Sequence, residues 1–311
     1  MRTAICFLTD AKGFHLTEHA AAVAALTQQT VTDIIVFCRD FLPEDQESLT
    51  RLGAPLGKNI HYKCLSSDSV KASAARAGTN ATGTANMKLF ALNELAADYQ
   101  RALYIDGDVL LMENIDLDKI DFQSRPIAAV YDIVGFEGIR GPAFYQRCAE
   151  KGRSPHYFNS GFIAVDYRNW NRTFLSRFDD AFERHKISCD YHDNCPLQDQ
   201  CVLNIIFENN WTRLPLTFNC QAAAMFTERW KNAAVRHYAG QQKFLPRRRH
   251  RSDTLEVALL NKARQALGRP GLGSPGHDWL MRLNGLRHWR YTRRVNRAIT
   301  TFEKMQAEAF D

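Results

Sequence analysis

The first part of the chain alternates between short apolar runs and segments with apolar residues at helical spacing. The runs that predict buried strands lie at residues 4–8, 32–38, 60–65 and 103–105. The segments that predict helices lie at residues 16–29, 43–53 and 83–95. A strand covered on both faces is apolar throughout rather than alternating. Strands that alternate with helices across short polar turns predict a mostly parallel sheet with helices on both faces.

The second part of the chain continues this pattern with longer polar insertions. Predicted strands lie at residues 126–132, 157–166 and 211–215, and a last apolar segment at 235–240 ends the body. Predicted helices lie at residues 169–184 and 198–207, whereas 135–153 has the glycine spacing of a loop region. Ligands of such sheets bind beyond the carboxyl ends of the strands, where Asp10 and Asp106 are expected.

Composition places the chain among ordinary globular proteins. Its 311 residues suffice for one large domain with an appendage, and 45% of them are hydrophobic. No stretch of eighteen apolar residues predicts a membrane span, and the apolar run after Met1 is too short for a secretion signal. Eight scattered cysteines lack a short-domain disulfide pattern, which favours free thiols in a reducing cytoplasm.

The positive charge is concentrated at one end of the chain. Residues 246–311 hold fourteen lysine and arginine residues against six acids, a net charge of +8, so the remaining residues carry −2 of the total +6. Trp279, Leu283 and Leu286 share a helical stripe with Trp289 at its edge, flanked by arginines. This pattern is typical of a helix lying on an anionic membrane surface. Nucleic-acid binding and a solvated, partly disordered tail are the alternatives.

Two acids interrupt the apolar segment 103–115. Asp106 and Asp108 flank Gly107, where the backbone can turn, and carboxylates so placed can bind one divalent cation. Two acids at a buried edge also repel unless a positive charge lies between them. A solvated turn is the plainer interpretation. A helix-loop-helix calcium site is disfavoured, because the acid and glycine it requires at its fifth and sixth positions are absent.

Four motifs occur in one order along the chain and together carry a family resemblance. They are Asp106-x-Asp108, Asn159-Ser160-Gly161, Gln198-Asp199-Gln200 and His237-x-x-Gly240-x-x-Lys243. In this set the chain resembles glycosyltransferase family 8, retaining transferases that include bacterial lipopolysaccharide galactosyl- and glucosyltransferases and glycogenin. The resemblance covers residues 1–245 and implies the GT-A fold, a Rossmann-like mostly parallel sheet flanked by helices. Residues 1–245 are then the catalytic domain, and 246–311 a basic helical C-terminal region for membrane attachment.

The resemblance implies a metal and nucleotide end of the site. It gives Asp106, Asp108 and His237 as metal ligands, a mixed carboxylate and imidazole set that suits Mn²⁺ and also accepts Mg²⁺. The residues implied in holding a UDP-hexose donor are Asp10, Lys88, Asp106, Gly107, Gly240 and Lys243. Lys88 stands where relatives carry an arginine, so the charge is retained but the bidentate fork is lost. An ordinary solvated helix lysine is the alternative at that position.

The resemblance also implies a sugar end. Asp132, Asn159, Asp199 and Gln200 are expected to line the transferred hexose and the acceptor, with Gln200 and Asp199 as the catalytic residues. Asp199 is alternatively a helix N-terminal acid. An amide makes a poor nucleophile and Cys201 follows where some relatives carry an acid, so we favour front-face substitution over a glycosyl-enzyme intermediate.

The expected function is metal-dependent transfer of a hexose from UDP-galactose or UDP-glucose to a glycan or glycolipid acceptor such as lipopolysaccharide. The protein is expected in the cytoplasm, peripheral on the inner face of the cytoplasmic membrane, with no nucleic-acid partner. Two alternatives are a nucleotide-sugar-binding protein without transfer and a sugar-nucleotide pyrophosphorylase. The second is disfavoured, since no glycine-rich loop with arginine and lysine follows the first strand.

Two further motifs stand outside this picture. Cys189, His192, Cys195 and Cys201 have spacings that could hold zinc, although the segment overlaps the Gln198-Asp199-Gln200 motif. Residues 271–276 match a dinucleotide-binding glycine pattern literally. They follow a helical stretch rather than a strand and include a proline, so a flexible link is the preferred interpretation.

Overall fold

The structure is a computed structural model. It describes residues 2–44, 46–65, 87–133, 142–171, 173–192, 195, 198–225, 227–240, 243–245, 254–272 and 285–308. Among the described residues, no helix combines the length and the hydropathy that crossing a membrane requires.

Ten strands and nine α-helices are described. The strands are β1 (Thr3–Thr9), β2 (Asp33–Arg39), β3 (Asn59–Leu65), β4 (Arg101–Ile105), β5 (Val109–Leu111), β6 (Ile127–Tyr131), β7 (Phe158–Asp166), β8 (Trp211–Arg213), β9 (Cys220–Gln221) and β10 (Val235–His237). The helices are α1 (Phe14–Thr27), α2 (Glu47–Gly53), α3 (Lys88–Leu95), α4 (Pro142–Glu150), α5 (Thr173–Ile187), α6 (Gln198–Ile206), α7 (Glu228–Lys231), α8 (Thr254–Ala266) and α9 (Gly285–Glu308).

Seven strands form one sheet in the order β3-β2-β1-β4-β7-β6-β8. All neighbours in it are parallel except β7, which runs antiparallel to β4 and to β6. Every residue of β1, β4, β6 and β7 is buried, and apart from polar residues near their ends these strands are apolar, as burial on both faces requires. The chain leaves β1 for β2 on one side and pairs β1 with β4 on the other. The crevice beyond the carboxyl ends of β1 and β4 is therefore the expected ligand site.

The reversed direction of β7 determines what lies at that crevice. Phe162 pairs with Ile105, so the amino end of β7 meets the carboxyl end of β4. The backbone N–H of Asp106 donates to the carbonyl of Gly161 at 3.0 Å. Asn159 and Ser160 therefore lie beside Asp106, although more than fifty residues separate them in the chain.

A second sheet of three strands, in the order β5-β10-β9, starts immediately after this point. The apolar segment 103–115 is thus divided, with β4 in the large sheet and β5 in the small one. β10 pairs antiparallel with β5 and places His237 opposite Val109. The turn at Gly107 and the pairing of β10 together bring His237 to the two acids.

Helices cover the large sheet, and the C-terminal region packs on one of them. Residues 17–25 of α1 are all buried, which explains why this helix is rich in alanine. α8 packs on α1 with Leu260 and Ala263 fully buried. A buried ion pair joins Arg236 Nη1 of β10 to Glu256 Oε2 of α8 at 3.0 Å. At least this part of the basic C-terminal region is therefore folded against the body.

One sequence prediction about the fold needs correction. The loop predicted over 135–153 contains the helix α4, which starts at Pro142, a residue well suited to a first helical turn. The segments 83–86 and 273–284, which carry parts of a predicted helix and of the glycine link, lie outside the described residues, as do Trp279 and Leu283. The predicted fold class, a mostly parallel sheet with helices on both faces, is confirmed.

Asp166, at the end of β7, gives a prediction about acid stability. Its buried carboxylate accepts from Arg168 Nε at 2.9 Å and lies 3.6 Å from Arg101 Nη2. Burial opposes the charge, but the two guanidinium groups outweigh it and lower the pKa of Asp166 below its usual 3.8. Asp166→Asn is expected to lower the free energy of unfolding at pH 7 by about 1–3 kcal/mol.

The difference in the free energy of unfolding between wild type and Asp166→Asn should narrow on acidification. A carboxyl whose pKa is lower in the folded state stabilises the protein above its unfolded pKa, and this contribution is lost as pH falls from about 3.8 through the folded value. Urea unfolding over a pH series measures the effect, with the exposed Asp98→Asn as the control. A constant difference between wild type and Asp166→Asn across that range would contradict the prediction.

Candidate functional site

A cavity of about 360 Å³ opens at the carboxyl ends of β1 and β4. One end is formed by β4, the turn to β5 and β10, and the other by the start of β7 and the first turn of α6. The polar and glycine residues of its lining are Thr9, Asp10, Gly13, Thr17, Lys88, Tyr104, Asp106, Gly107, Asp108, Asn159, Ser160, Gly161, Asp199, Gln200, His237, Gly240 and Lys243. The structure thus brings together nearly all the residues that the sequence predicts for the site.

Asp106, Asp108 and His237 offer ligand atoms that all lie within 4.8 Å of one another. Ligands about 2.1 Å from one octahedral cation are about 3.0 Å apart when adjacent and about 4.2 Å apart when opposite, so small side-chain movements would bring the three atoms to one cation. Two carboxylates and an imidazole are donors that Mn²⁺ and Mg²⁺ both accept, with the imidazole favouring Mn²⁺. The residues present therefore fit the predicted metal.

The orientation of His237 is fixed from two sides. Its Nδ1 lies 3.1 Å from Asn219 Oδ1, and Asn219 Nδ2 donates in turn to Asn159 Oδ1 at 2.9 Å. Because Asn219 presents an acceptor, a proton belongs on Nδ1, and Nε2 faces Asp108 Oδ1 at 3.4 Å. When the imidazole is charged, Nε2 donates to this carboxylate, and when it is neutral, Nε2 offers its lone pair to a cation. Gly161 leaves room for the ring, since a Cβ there would lie 2.3 Å from His237 Cε1.

Lys243 closes the same end of the cavity. Its ammonium group donates to Asp108 Oδ2 and, at 3.2 Å, to the carbonyl of Tyr238. Burial opposes ionisation of Asp108, but His237 and Lys243 outweigh it and hold the pKa of Asp108 well below its usual range. Gly240, between His237 and Lys243, has a φ of +87°, a conformation that a glycine adopts without strain.

Lys88 joins the two ends of the cavity. Its buried ammonium group lies 3.0 Å from Asp106 Oδ1 and 2.9 Å from Asp199 Oδ2. It also donates to Ser160 Oγ at 3.0 Å. Burial opposes the charge, but the two carboxylates outweigh it and raise the pKa of Lys88, while Lys88 helps to lower the pKa of Asp199. The alternative of an ordinary solvated lysine is wrong, because Lys88 is 4% exposed.

The predicted sugar end is a connected hydrogen-bond network. Gln200 Oε1 accepts from the backbone N–H of Ser160 at 3.0 Å, and its Nε2 donates to Asp132 Oδ2 at 3.0 Å. Asn159 Nδ2 lies 3.5 Å from Asp132 Oδ1. Ser160 Oγ donates to Asp199 Oδ2 at 3.2 Å. Asp132 thus contacts the cavity through Gln200 and Asn159, which it holds in place from behind.

Asp10 and Gly107 shape the predicted nucleotide side of the cavity. Asp10 Oδ1 accepts from the backbone N–H of Gly13 at 2.8 Å, so it also orders the turn into α1. A Cβ at Gly107 would lie 2.2 Å from Thr17 Oγ1, so only glycine lets the turn between the two acids approach α1 this closely. Gly107 is therefore required by packing as well as by the turn.

Three residues that contribute to the site were missed by the sequence analysis. Tyr104 donates to Asp106 Oδ1 at 2.6 Å, Asn219 orients His237, and Thr17 packs on Gly107. The alternation of β4 gave a signal for Tyr104, since residues i and i+2 of an extended chain share a face. Asn219 and Thr17 had no comparable signal, because they meet the site only through the tertiary fold.

Gly161→Ala is expected to weaken metal binding at least about tenfold, because moving a metal ligand or its support costs that much. The added methyl group would displace the imidazole of His237 while leaving β7 buried and paired. Titration of Mn²⁺ by isothermal calorimetry measures the change, with Gly271→Ala as control, since a Cβ there makes only ordinary contacts. An unchanged affinity in Gly161→Ala would show that the position of His237 does not matter for the metal.

Comparison with known families and proteins adds independent information. The model of the family described as "Glycosyl transferase family 8" matches residues 13–244. A probable glycosyl transferase Gly of Streptococcus gordonii is 28% identical over 133 residues, which cover 42% of this chain and 17% of that protein. Glycosyltransferase GlyF of Streptococcus pneumoniae is 29% identical over 135 residues, which cover 42% of this chain and 28% of that protein. The matched region is thus well under two thirds of each relative.

Solved structures share the fold at low sequence identity. The galactosyltransferase LgtC in complex with donor and acceptor sugar analogs has a TM-score of 0.61 and 19% identity, over 89% of this chain and 99% of that one. The bifunctional glycosyltransferase WbbM has a TM-score of 0.60 and 16% identity, over 86% of this chain and 49% of that one.

Proposed function

The chain belongs to glycosyltransferase family 8, and from this premise we propose that it is a metal-dependent retaining transferase. The proposed reaction moves a hexose from UDP-galactose or UDP-glucose to a glycan or glycolipid acceptor, such as the lipopolysaccharide core. One observation carries the proposal. A single cavity has a cation-binding group and Lys243 at one end and the Asp199 and Gln200 network at the other.

The first end suits a diphosphate. A divalent cation held by Asp106, Asp108 and His237 would neutralise charge that grows on the leaving group. Lys243 adds an ammonium group, and Gly240 lets the backbone approach phosphate oxygens closely. Asp10 lies beyond Asp106 at the end of β1, where we place the uridine.

The second end suits a hexose that carries positive charge as its bond to the diphosphate breaks. Asp199 supplies a negative charge balanced by Lys88, and Gln200 is held rigid by Ser160 and Asp132. The oxygen and the nitrogen of the Gln200 amide both form hydrogen bonds within the protein, and Cys201 Sγ faces Cys195 and Tyr157. These contacts support front-face substitution, in which the acceptor oxygen bonds to the anomeric carbon as the diphosphate leaves and takes the acceptor proton. A glycosyl-enzyme trapped on any side chain would contradict this route.

The test is release of UDP from a panel of nucleotide sugars, with Mn²⁺, with Mg²⁺ and with chelator. The expected result is metal-dependent UDP release from UDP-galactose or UDP-glucose that increases when a glycan acceptor is added. Binding without release would indicate a nucleotide-sugar-binding protein and overturn the proposal. Pyrophosphate formed from a sugar phosphate and UTP would indicate a pyrophosphorylase instead.

We also propose that the basic C-terminal region attaches the protein to the cytoplasmic face of an anionic membrane. In α9, Val295 and Ile299 are buried, whereas Trp289 is 54% exposed with the guanidinium of Arg293 5.1 Å from its ring. Arg290 and Arg293 are exposed beside it. An exposed tryptophan among arginines is what an anionic lipid surface binds.

Replacing Arg290 and Arg293 with glutamate is expected to weaken binding to phosphatidylglycerol vesicles at least about tenfold. The reason is that each basic residue near an anionic surface contributes about 1 kcal/mol to the binding. Cosedimentation with the vesicles at low salt measures this binding. The matched control reverses Arg51 and Lys119, whose side chains are 70% and 84% exposed on the body. Vesicle binding unchanged by the α9 substitutions would contradict this attachment.

A further inference from the structure

Three cysteines and a histidine converge behind the sugar end of the cavity. His185 lies at the end of α5, Cys189 and Cys195 follow it, and Cys201 lies in α6 directly after Gln200. Their four ligand atoms all lie within 4.8 Å of one another. The sequence motif pointed to His192 as the fourth member, but the structure places His192 against the rings of Phe144 and Tyr157 and brings His185 to the thiols instead.

The distances in this group match tetrahedral zinc. With Zn–S bonds of about 2.3 Å and a Zn–N bond of about 2.0–2.1 Å, neighbouring sulfurs lie about 3.8 Å apart, and a sulfur and a nitrogen about 3.5 Å apart. Cys189 Sγ and Cys201 Sγ are 3.7 Å apart, and Cys195 Sγ and Cys201 Sγ are 3.4 Å apart. His185 Nε2 is 3.3 Å from Cys195 Sγ. These three distances are within about 0.4 Å of the tetrahedral values, and the other three distances in the group are no longer than 4.8 Å.

The surroundings also suit thiolates that bind a metal. The backbone N–H of Tyr191 donates to Cys189 Sγ at 3.4 Å, and the hydroxyl of Tyr157 lies 3.0 Å from Cys201 Sγ. Hydrogen bonds to the ligating atoms are a regular part of metal sites. His185, Cys189 and Cys201 are buried, so a cation there would be shielded from water.

We infer that His185, Cys189, Cys195 and Cys201 form a structural zinc site, separate from the Asp106, Asp108 and His237 group. All four positions of a tetrahedron are taken by protein ligands, which is the closed arrangement of a structural rather than a catalytic zinc. The site would fasten the end of α5 to the first turns of α6. Because Cys201 is next to Gln200, zinc would also fix the helix that presents Asp199 and Gln200 to the sugar.

The first test is the metal content of the full chain, produced with zinc in the medium and purified without metal-affinity resin. The expected result is about one zinc per chain, falling below about a tenth in Cys195→Ser. The matched control is Cys148→Ser, a buried thiol on α4 outside the group. Zinc-free wild type, or equal zinc in Cys195→Ser, overturns the inference.

Cobalt gives a second readout that needs no variant. Co²⁺ replaces zinc in nitrogen and sulfur sites, and a cobalt–thiolate bond gives a charge-transfer absorption in the near ultraviolet. The Asp106, Asp108 and His237 group contains no sulfur, so cobalt bound there lacks this band. Protein produced with cobalt should show the band, and its absence overturns the inference, as does a disulfide among the three thiols found by mass under non-reducing conditions. Neither measurement uses a sugar donor, so the result is independent of the proposed transferase activity.

Discussion

Asp108→Asn is expected to lower metal-dependent UDP release by at least about 10²–10³-fold, the cost of losing one charge-stabilising group in a reacting site. The substitution removes a proposed metal ligand and the partner of Lys243 and His237 at once. Asparagine has nearly the same shape, so the turn between β4 and β5 should form as before. The measurement is the initial rate of UDP release at saturating UDP-galactose or UDP-glucose, over a range of Mn²⁺ concentrations.

Asp98→Asn is the control, because this exposed acid lies away from the cavity. Circular dichroism and the melting temperature of Asp108→Asn should stay close to those of the wild type. Full activity in the variant would remove the basis for placing a cation between the two sheets. Lost activity together with lost structure would call for His237→Gln, which keeps both carboxylates.

Lys88→Met should destabilise the protein by about 3–5 kcal/mol, the usual cost of breaking a buried ion pair from one side. Methionine fills the same space but leaves Asp106 and Asp199 facing each other without a cation. Transfer should be lost as well, since both carboxylates belong to the site. Urea unfolding and the UDP-release assay measure the two effects.

Two further variants serve as controls for Lys88→Met. Lys88→Arg keeps the charge and should retain most of the stability, whereas Lys119→Met removes an 84% exposed lysine and should change little. Mild acidification should narrow the difference between Lys88→Met and wild type, because protonating one carboxylate relieves the repulsion. A Lys88→Met protein as stable as the wild type at pH 7 would show that Lys88 is not the link between the two ends.

Much of the fold can be predicted from the local pattern of apolar residues. What cannot be predicted is how distant strands pair. The apolar runs of β1, β2 and β4 are visible in the sequence because buried strands have few polar residues. The direction of β7 is not visible, since a strand has the same pattern whichever way it runs. Yet that direction brings Asn159 and Ser160 to Asp106.

The residues of the candidate site divide in the same way, into those that the sequence indicates and those that only the tertiary packing brings in. Asp106, Asp108, His237 and Lys243 were found through their order in the chain. The position of Lys88 between two acids depends on how α3 packs beside β4, which spacing does not report. His185 and His192 both lie near the three cysteines in sequence, and only the packing of α5 against α6 distinguishes them.

The two-sheet architecture has a consequence for how such a protein can diversify. The proposed phosphate end rests on β4, β5 and β10, whereas the proposed sugar end rests on β7 and α6. We therefore expect that substitutions in α6 can alter hexose or acceptor preference without moving the proposed cation ligands. Lys88 is a point at which the two halves constrain each other, because its ammonium group contacts both Asp106 and Asp199. Changes of specificity should accumulate around Lys88 and leave this residue in place.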